Sequence, residues 1–304
     1  MSTFPWRWFL AWIAVTIGAP AHAGFFDTSC AGRTVAKAYH DENAVALVRA
    51  ATRGDVDEIA LLSSKYPHVV NHVEDKAVPP LLWAICADNV KGFEALLIAG
   101  ANPNLGGGGI GPGDGKGHGL KEDGSVIASG WTATIMASSA GNIEFLKLAL
   151  RYGAELNSPK GVERPDLPLS VAAYYGLFDH VKLLIENGAD INGHDSLSGA
   201  PEYAIVSGGR FDIAMWLVEN GYTWNLQRLA SIAEIRQVPL KSSLQRSKDA
   251  LIDVLRQGGA VFPASPNTKF EFQERVIPDA DFWDVIRGYK WVGSYPKRQA
   301  APRE

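Results

Sequence analysis

Sulfur is scarce in this chain: 304 residues hold two cysteines, Cys30 and Cys86, and three methionines. Neither cysteine has a nucleophile's context, which argues against thiol catalysis. No serine occupies a Gly-x-Ser-x-Gly elbow, and no other catalytic constellation is present, so the chain reads as a non-enzyme. An excess of one charge is also lacking. Lys and Arg total 29 against 33 Asp and Glu, a net charge of −4, which argues against nucleic acid and against a polybasic membrane surface. Seven histidines are scattered. His68 and His72 have helical spacing, but Pro67 and Val69-Val70 favour an extended loop, and no glutamate stands between them as in metalloproteases. No metal and no cofactor is expected. The one long apolar run, Trp8 to Ala19, is shorter than the roughly 20 residues a bilayer requires.

What the chain does have is self-similarity. Leu96-Leu97-Ile98-Ala99-Gly100-Ala101-Asn102-Pro103-Asn104 recurs as Ala149-Leu150-Arg151-Tyr152-Gly153-Ala154-Glu155-Leu156-Asn157. It returns as Leu184 to Asn192 around Gly188, and as Leu217 to Asn225 around Gly221. The four glycines are 53, 35 and 33 residues apart. A second ladder, Gly54, Asp88, Gly141, Gly176 and Gly209, keeps the same register one helix earlier. Two independent marks in one register define a stack of supersecondary units of about 33 residues, one of which carries an insertion of roughly 20.

Each unit reads as helix, tight turn, helix and exposed loop. In the third, Thr132 is the N-cap, Ile135 to Ser139 the first helix, Gly141-Asn142 the turn and Ile143 to Arg151 the second helix. Gly153 closes it, where a left-handed backbone favours glycine. Pro80, Pro168 and Pro201 start first helices, where a missing N–H costs nothing. Phe93, Leu96 and Leu97 match Leu146, Ala149 and Leu150, then Val181, Leu184 and Ile185, then Ala214, Leu217 and Val218. Spacing of three and four puts each trio on one face, which must stack on a neighbour.

Gly130-Trp131-Thr132-Ala133-Thr134-Ile135-Met136-Ala137-Ser138-Ser139-Ala140-Gly141-Asn142 and Pro168 to Gly176 resemble the ankyrin-repeat family over roughly residues 42–260. The family histidine is replaced by Leu82, Ile135, Ser170 and Tyr203. The resemblance implies an all-α solenoid of about five to six helix-turn-helix repeats. Repeats 1–5 fill 42–225, with the Gly-rich insertion at 105–129, and a degenerate sixth fills 226–263. Residues 24–41 would cap the N-terminus, and the aromatic-rich segment 264–304 would form a C-terminal cap and tail.

Residues 1–23, with Arg7, the apolar run and Ala21-His22-Ala23, read as a secretory signal peptide, a retained anchor being the alternative. Cleavage after Ala23 leaves 28 Lys and Arg against 33 Asp and Glu, a net charge of −5. The expected location is the periplasm or the outside of the cell, with no membrane insertion. That compartment is oxidising, so Cys30 and Cys86 are a disulfide candidate, two unpaired small core residues being the other reading.

Nine of the fourteen residues from Gly106 to Gly119 are glycine. Lys116 is followed by Gly117 rather than Ser or Thr and no strand precedes it, so neither a phosphate loop nor a dinucleotide fingerprint is present. Asp114 falls one residue late for a calcium nonapeptide. The stretch reads as a flexible loop grafted onto a finger between repeats.

The resemblance also implies a protein partner, gripped along a concave face of loop tips and first helices. Candidate contacts there are Arg53, Tyr174 and Tyr175, with Trp131, Lys116 and His118 from the long finger. His194, Ser196 and Leu197 come from another finger. Trp83 reads as core. Exported ankyrin proteins of Gram-negative bacteria include some that resemble immunity partners of toxic secretion effectors, phospholipases among them. That implies stoichiometric neutralisation. Support of oxidative-stress defence is the competing expectation, and an enzyme built on the Gly-rich loop a third.

Overall fold

The fold is given by a computed structural model that describes residues 29–30, 33–74, 77–107, 132–157, 167–194, 198–262 and 264. The expected signal peptide, positions 108–129 of the insertion, and 265–304 of the C-terminal segment lie outside the described residues. A short antiparallel ribbon, β1 (Ser29–Cys30) and β2 (Arg33–Thr34), leads into the one-turn helix α1 (Val35–Ala38). Six helix pairs follow among the described residues. They are α2 (Glu42–Arg53) with α3 (Val56–Lys65), α4 (Pro80–Cys86) with α5 (Val90–Ile98), and α6 (Ala133–Ser139) with α7 (Ile143–Arg151). After these come α8 (Pro168–Tyr174) with α9 (Phe178–Glu186), α10 (Ala200–Gly208) with α11 (Phe211–Glu219), and α12 (Leu226–Ile235) with α13 (Ser243–Gln257).

Local chemistry sets these boundaries. Thr132 Oγ1 accepts from the Ile135 N–H, as expected of an N-cap, and Asp55, Asn89 and Ser242 cap α3, α5 and α13 in the same way. Pro80 and Pro168 open α4 and α8, and Pro201 follows Ala200 in α10. Gly100, Gly153, Gly188, Gly221 and Gly259 close second helices at φ between +85° and +114°. Gly54, Gly176 and Gly209 are left-handed at the turn within the repeat, and Asp88 takes that role at φ +51°. Gly141 breaks the ladder: α6 ends instead at Ala140 in an extended conformation.

The first helices stack in order as one row, α2, α4, α6, α8, α10 and α12, and the second helices as another behind them. Within each trio the first two side chains are buried and, beyond Leu97, the third is half-buried. Fully burying one such aliphatic side chain stabilises by about 1.5–3 kcal/mol. The interval of 53 residues does not interrupt the core. Phe93 of α5 meets Phe145 of α7 edge-on at 5.3 Å, across the insertion. Phe178 of α9 and Trp216 of α11 make a similar contact at 5.8 Å.

Polar links join each repeat to the next at both ends of the helices. At the loop end an asparagine amide clamps the following repeat. Asn104 donates to the Gly153 carbonyl at 2.9 Å and accepts from the Glu155 N–H at 2.7 Å. Asn71 does the same to Gly100 and Asn102, Asn157 to Gly188 and Asp190, and Asn192 to Gly221 and Thr223. Gln227 repeats the pattern on Val261 in the degenerate last unit. At the turn end, Asn89 donates to the Thr52 carbonyl, Arg210 to that of Gly176, and His180 bonds the Ala140 backbone.

The N-terminal end is tied down separately. Cys30 and Cys86 are bonded to each other, joining β1 to the end of α4. Tyr39 is buried and donates its hydroxyl to the Val78 carbonyl. Glu74 accepts from the backbone N–H groups of His40 and Asp41.

Two substitutions probe this frame. Asn157→Ala removes both bonds of one clamp and is expected to cost about 1–2 kcal/mol by urea unfolding, at about 1 kcal/mol per bond. Gly92→Ala is expected to cost at least about 1–3 kcal/mol, because its Cβ would lie 1.9 Å from the Ala51 carbonyl oxygen. An unchanged unfolding midpoint in either variant contradicts the packing described.

Candidate binding surface

The two helix rows differ in charge. Helices α4, α6, α8 and α10 together carry one Asp, Glu, Lys or Arg, and that residue, Glu202, is fully buried. Each of α5, α7, α9 and α11 carries two or three, as with Glu144, Lys147 and Arg151 of α7. Ion pairs decorate this second row: Lys147 with Glu144 at 2.7 Å, and Arg151 with Glu94 of the preceding repeat at 3.6 Å. Exposed pairs of this kind contribute roughly 1 kcal/mol at most. They keep the second row solvated, whereas α4, α6, α8 and α10 expose no charged side chain.

Tyrosines mark the centre of the uncharged row. Tyr174 and Tyr175, at the end of α8, are 44% and 53% exposed. Their rings meet edge-on with centroids 5.3 Å apart. Tyr203 of α10, half-buried, approaches Tyr174 at 6.4 Å and 65°. Val206, one turn beyond Tyr203, is 55% exposed. Tyr203 stands at the position held by Leu82, Ile135 and Ser170 in other repeats, where the histidine expected from the resemblance is replaced. That substitution is visible in the sequence, but its spatial partnership with Tyr174 is not.

The other predicted contacts distribute differently. Arg53 is exposed at the N-terminal end of the row and pairs with Glu58 at 2.7 Å. His194 is exposed, bridges Gly199, and stacks flat on Trp224 at 3.8 Å. Its ring contact is therefore with the loop that closes the fifth repeat rather than with the tyrosines. Trp131, Lys116, His118, Ser196 and Leu197 lie outside the described residues. Trp83 is fully buried, as expected. His68 stands in a 3-10 turn facing Asp41, and His72 faces Glu74. Burial pushes the Glu74 carboxyl up, but hydrogen bonds from His40, Asp41 and His72 outweigh it and hold its pKa at about 2. No cluster of three metal-ligating side chains occurs among the described residues.

At the start of α10 lies a polar cluster that sequence reading missed. Glu202 occupies a core position held by Leu81, Thr134 and Leu169 in other repeats. Its carboxyl accepts from the Tyr222 hydroxyl at 2.8 Å and from the Gly199 N–H at 3.0 Å. Burial raises the Glu202 pKa above the ordinary 4.5, only partly offset by those hydrogen bonds and by Arg228. Tyr222 is raised as well, by burial and by the neighbouring carboxyl. The cluster anchors Gly199, which bridges His194.

A family profile described as "Ankyrin repeats (3 copies)" matches residues 115–195, which include the third and fourth repeats described above. No curated protein matches the chain. With six helix pairs in the same register, the architecture is an all-α ankyrin-repeat solenoid. Ankyrin repeats are protein–protein interaction modules, generally without enzymatic activity, and they suggest another protein as the partner. No helix among the described residues is long and apolar enough to cross a membrane.

The buried acid gives a pH test. Its folded pKa is raised, so its stabilisation is complete below about pH 4.5 and is lost as pH rises through the folded value. Glu202→Gln keeps an acceptor for Tyr222 and cannot ionise. Its unfolding free energy should therefore gain on the native chain's as pH rises from about 4.5 towards 8. Parallel pH profiles of the two proteins exclude a titrating Glu202.

Proposed function

We propose that this protein is an exported, non-enzymatic binding module that neutralises a toxic secreted effector, a phospholipase for example, by stoichiometric binding. The observation that carries the reading is the run of first helices α4, α6, α8 and α10, which exposes no charge and bears an exposed tyrosine cluster. Tyrosine supplies large contact area with few rotors and a polar tip, the profile of an interface anchor. The charged second row keeps the back of the solenoid in water. Ala21-His22-Ala23 and the Cys30–Cys86 bond support export to an oxidising compartment, the periplasm. In this reading the row grips the effector and the 105–129 insertion obstructs its active site.

Co-expression with the product of the neighbouring gene tests this. The native chain should protect the host and co-purify with that product in equimolar amounts. Tyr174→Ala with Tyr175→Ala should weaken the complex by at least tenfold, about 1.4 kcal/mol or more, without lowering thermal stability by a comparable amount. Absence of both protection and co-purification removes the neutralisation reading.

A further inference from the structure

We propose that the element of the partner seated on the tyrosine cluster is an uncharged, proline-rich segment in the polyproline II conformation. This rests on the protein-binding reading above and goes on to specify the chemistry that the surface recognises.

Three observations select that ligand. The first is charge. Between Arg53 and Arg228 the first helices expose no Asp, Glu, Lys or Arg. A charged partner segment would lose its water here, and the guanidinium beside the cluster, Arg210 on the Gly176 carbonyl, is already paired with Asp212 at 2.6 Å. The acidic net charge of the chain resides elsewhere, on the second helices and loops.

The second is shape. Tyr174 sits between two rings inclined steeply to its own, Tyr175 at 77° and Tyr203 at 65°. Each pair of inclined rings makes a V-shaped notch with apolar walls. A pyrrolidine ring is flat and apolar, and its nitrogen carries no N–H that would be stranded in a dry notch. Both notches share the Tyr174 ring, so they are close neighbours. Polyproline II rises about 3.1 Å per residue with three residues per turn, which brings successive prolines of one segment within reach of both.

The third is hydrogen bonding. Tyr174 and Tyr175 are exposed, and their hydroxyls require acceptors once water is displaced. A helix backbone offers none along its length, because its carbonyls are bonded internally, so a helix would have to supply each acceptor from a side chain. An added strand would require a sheet edge, and none flanks these helices among the described residues. Polyproline II leaves its carbonyls unbonded and directed outward. Exposed Val206, on the Tyr203 side, extends the apolar floor for a residue flanking the prolines.

The test uses the mature chain, residues 24–304, titrated calorimetrically with three capped ten-residue peptides: oligo-proline, Gly-Ser and oligo-lysine. Oligo-proline should bind saturably, with an affinity that changes less than about twofold between about 50 and 500 mM salt. Tyr174→Ala with Tyr203→Ala should weaken it by about tenfold or more, and Tyr174→Phe, which keeps the ring and loses the hydroxyl, by a smaller factor. Gly-Ser should give no saturable heat. Oligo-lysine binding that fades with salt overturns the proposal, as does the absence of oligo-proline binding. The two readings fail separately. If Tyr174→Ala with Tyr203→Ala abolishes effector co-purification but oligo-proline does not bind, the segment class is wrong and the protein-binding surface stands. If oligo-proline binds and no effector co-purifies, the surface recognises its ligand chemistry and the neutralising role is wrong.

Discussion

One amide group per repeat sets the spacing of this solenoid. An asparagine in the loop of one unit accepts an N–H from the next and donates to a carbonyl of the glycine that closes the next unit's second helix. Those carbonyls belong to the left-handed glycine just past the cap of each second helix. The clamp therefore satisfies the turn that follows each second helix and fixes the distance between repeats with the same two bonds. Hydrophobic burial between the helix rows is larger in total but non-directional. Register comes from the amides, and the alignment of the tyrosines across α8 and α10 depends on that register.

With spacing fixed, the two rows take on separate tasks. The second helices carry the charge and face water, so the first helices are free of any solubilising role. An apolar, hydroxyl-tipped surface is thereby held open by a scaffold that does not depend on it. Exposed aromatic area is otherwise a liability, and here it is concentrated at one point in the row. The polar links at the turn end, Asn89, His180 and Arg210, use three different side chains for one geometric task. They hold a carbonyl of the preceding turn and leave the outer face of the first helices untouched.

The architecture was legible from the two ladders of glycine, because a left-handed backbone position recurring at a fixed interval requires the same turn to recur with it. Thr132 as a cap, the prolines at helix starts and the buried trios follow from local rules that do not require tertiary knowledge. The Tyr174-Tyr175 pair was legible from its place just before the turn glycine. Tyr203 stood out only as a missing histidine, since a contact between repeats is invisible to a pattern read within one repeat. The asparagine clamp left a clear mark, an Asn four residues after Gly100, Gly153, Gly188 and Gly221, but its purpose appears only when neighbouring units are placed side by side. For Gly221 the mark misleads: Asn225 caps α12, and Gln227 takes over the clamp. Glu202 gave no signal at all, because a glutamate early in a helix is ordinarily a solvated first-turn acid.

The Cys30–Cys86 bond spans 56 residues and encloses the whole of the first repeat, α2 and α3 together. In a linear array, terminal units have one neighbour instead of two and are the first to open. Here an opened first repeat stays attached at both ends, as a closed loop. Its effective concentration at its own docking site remains high, and it returns by intramolecular closure rather than by a search. The bond thus gives a terminal unit the kinetic behaviour of an internal one, and the solenoid is closed at its N-terminus by topology as well as by packing.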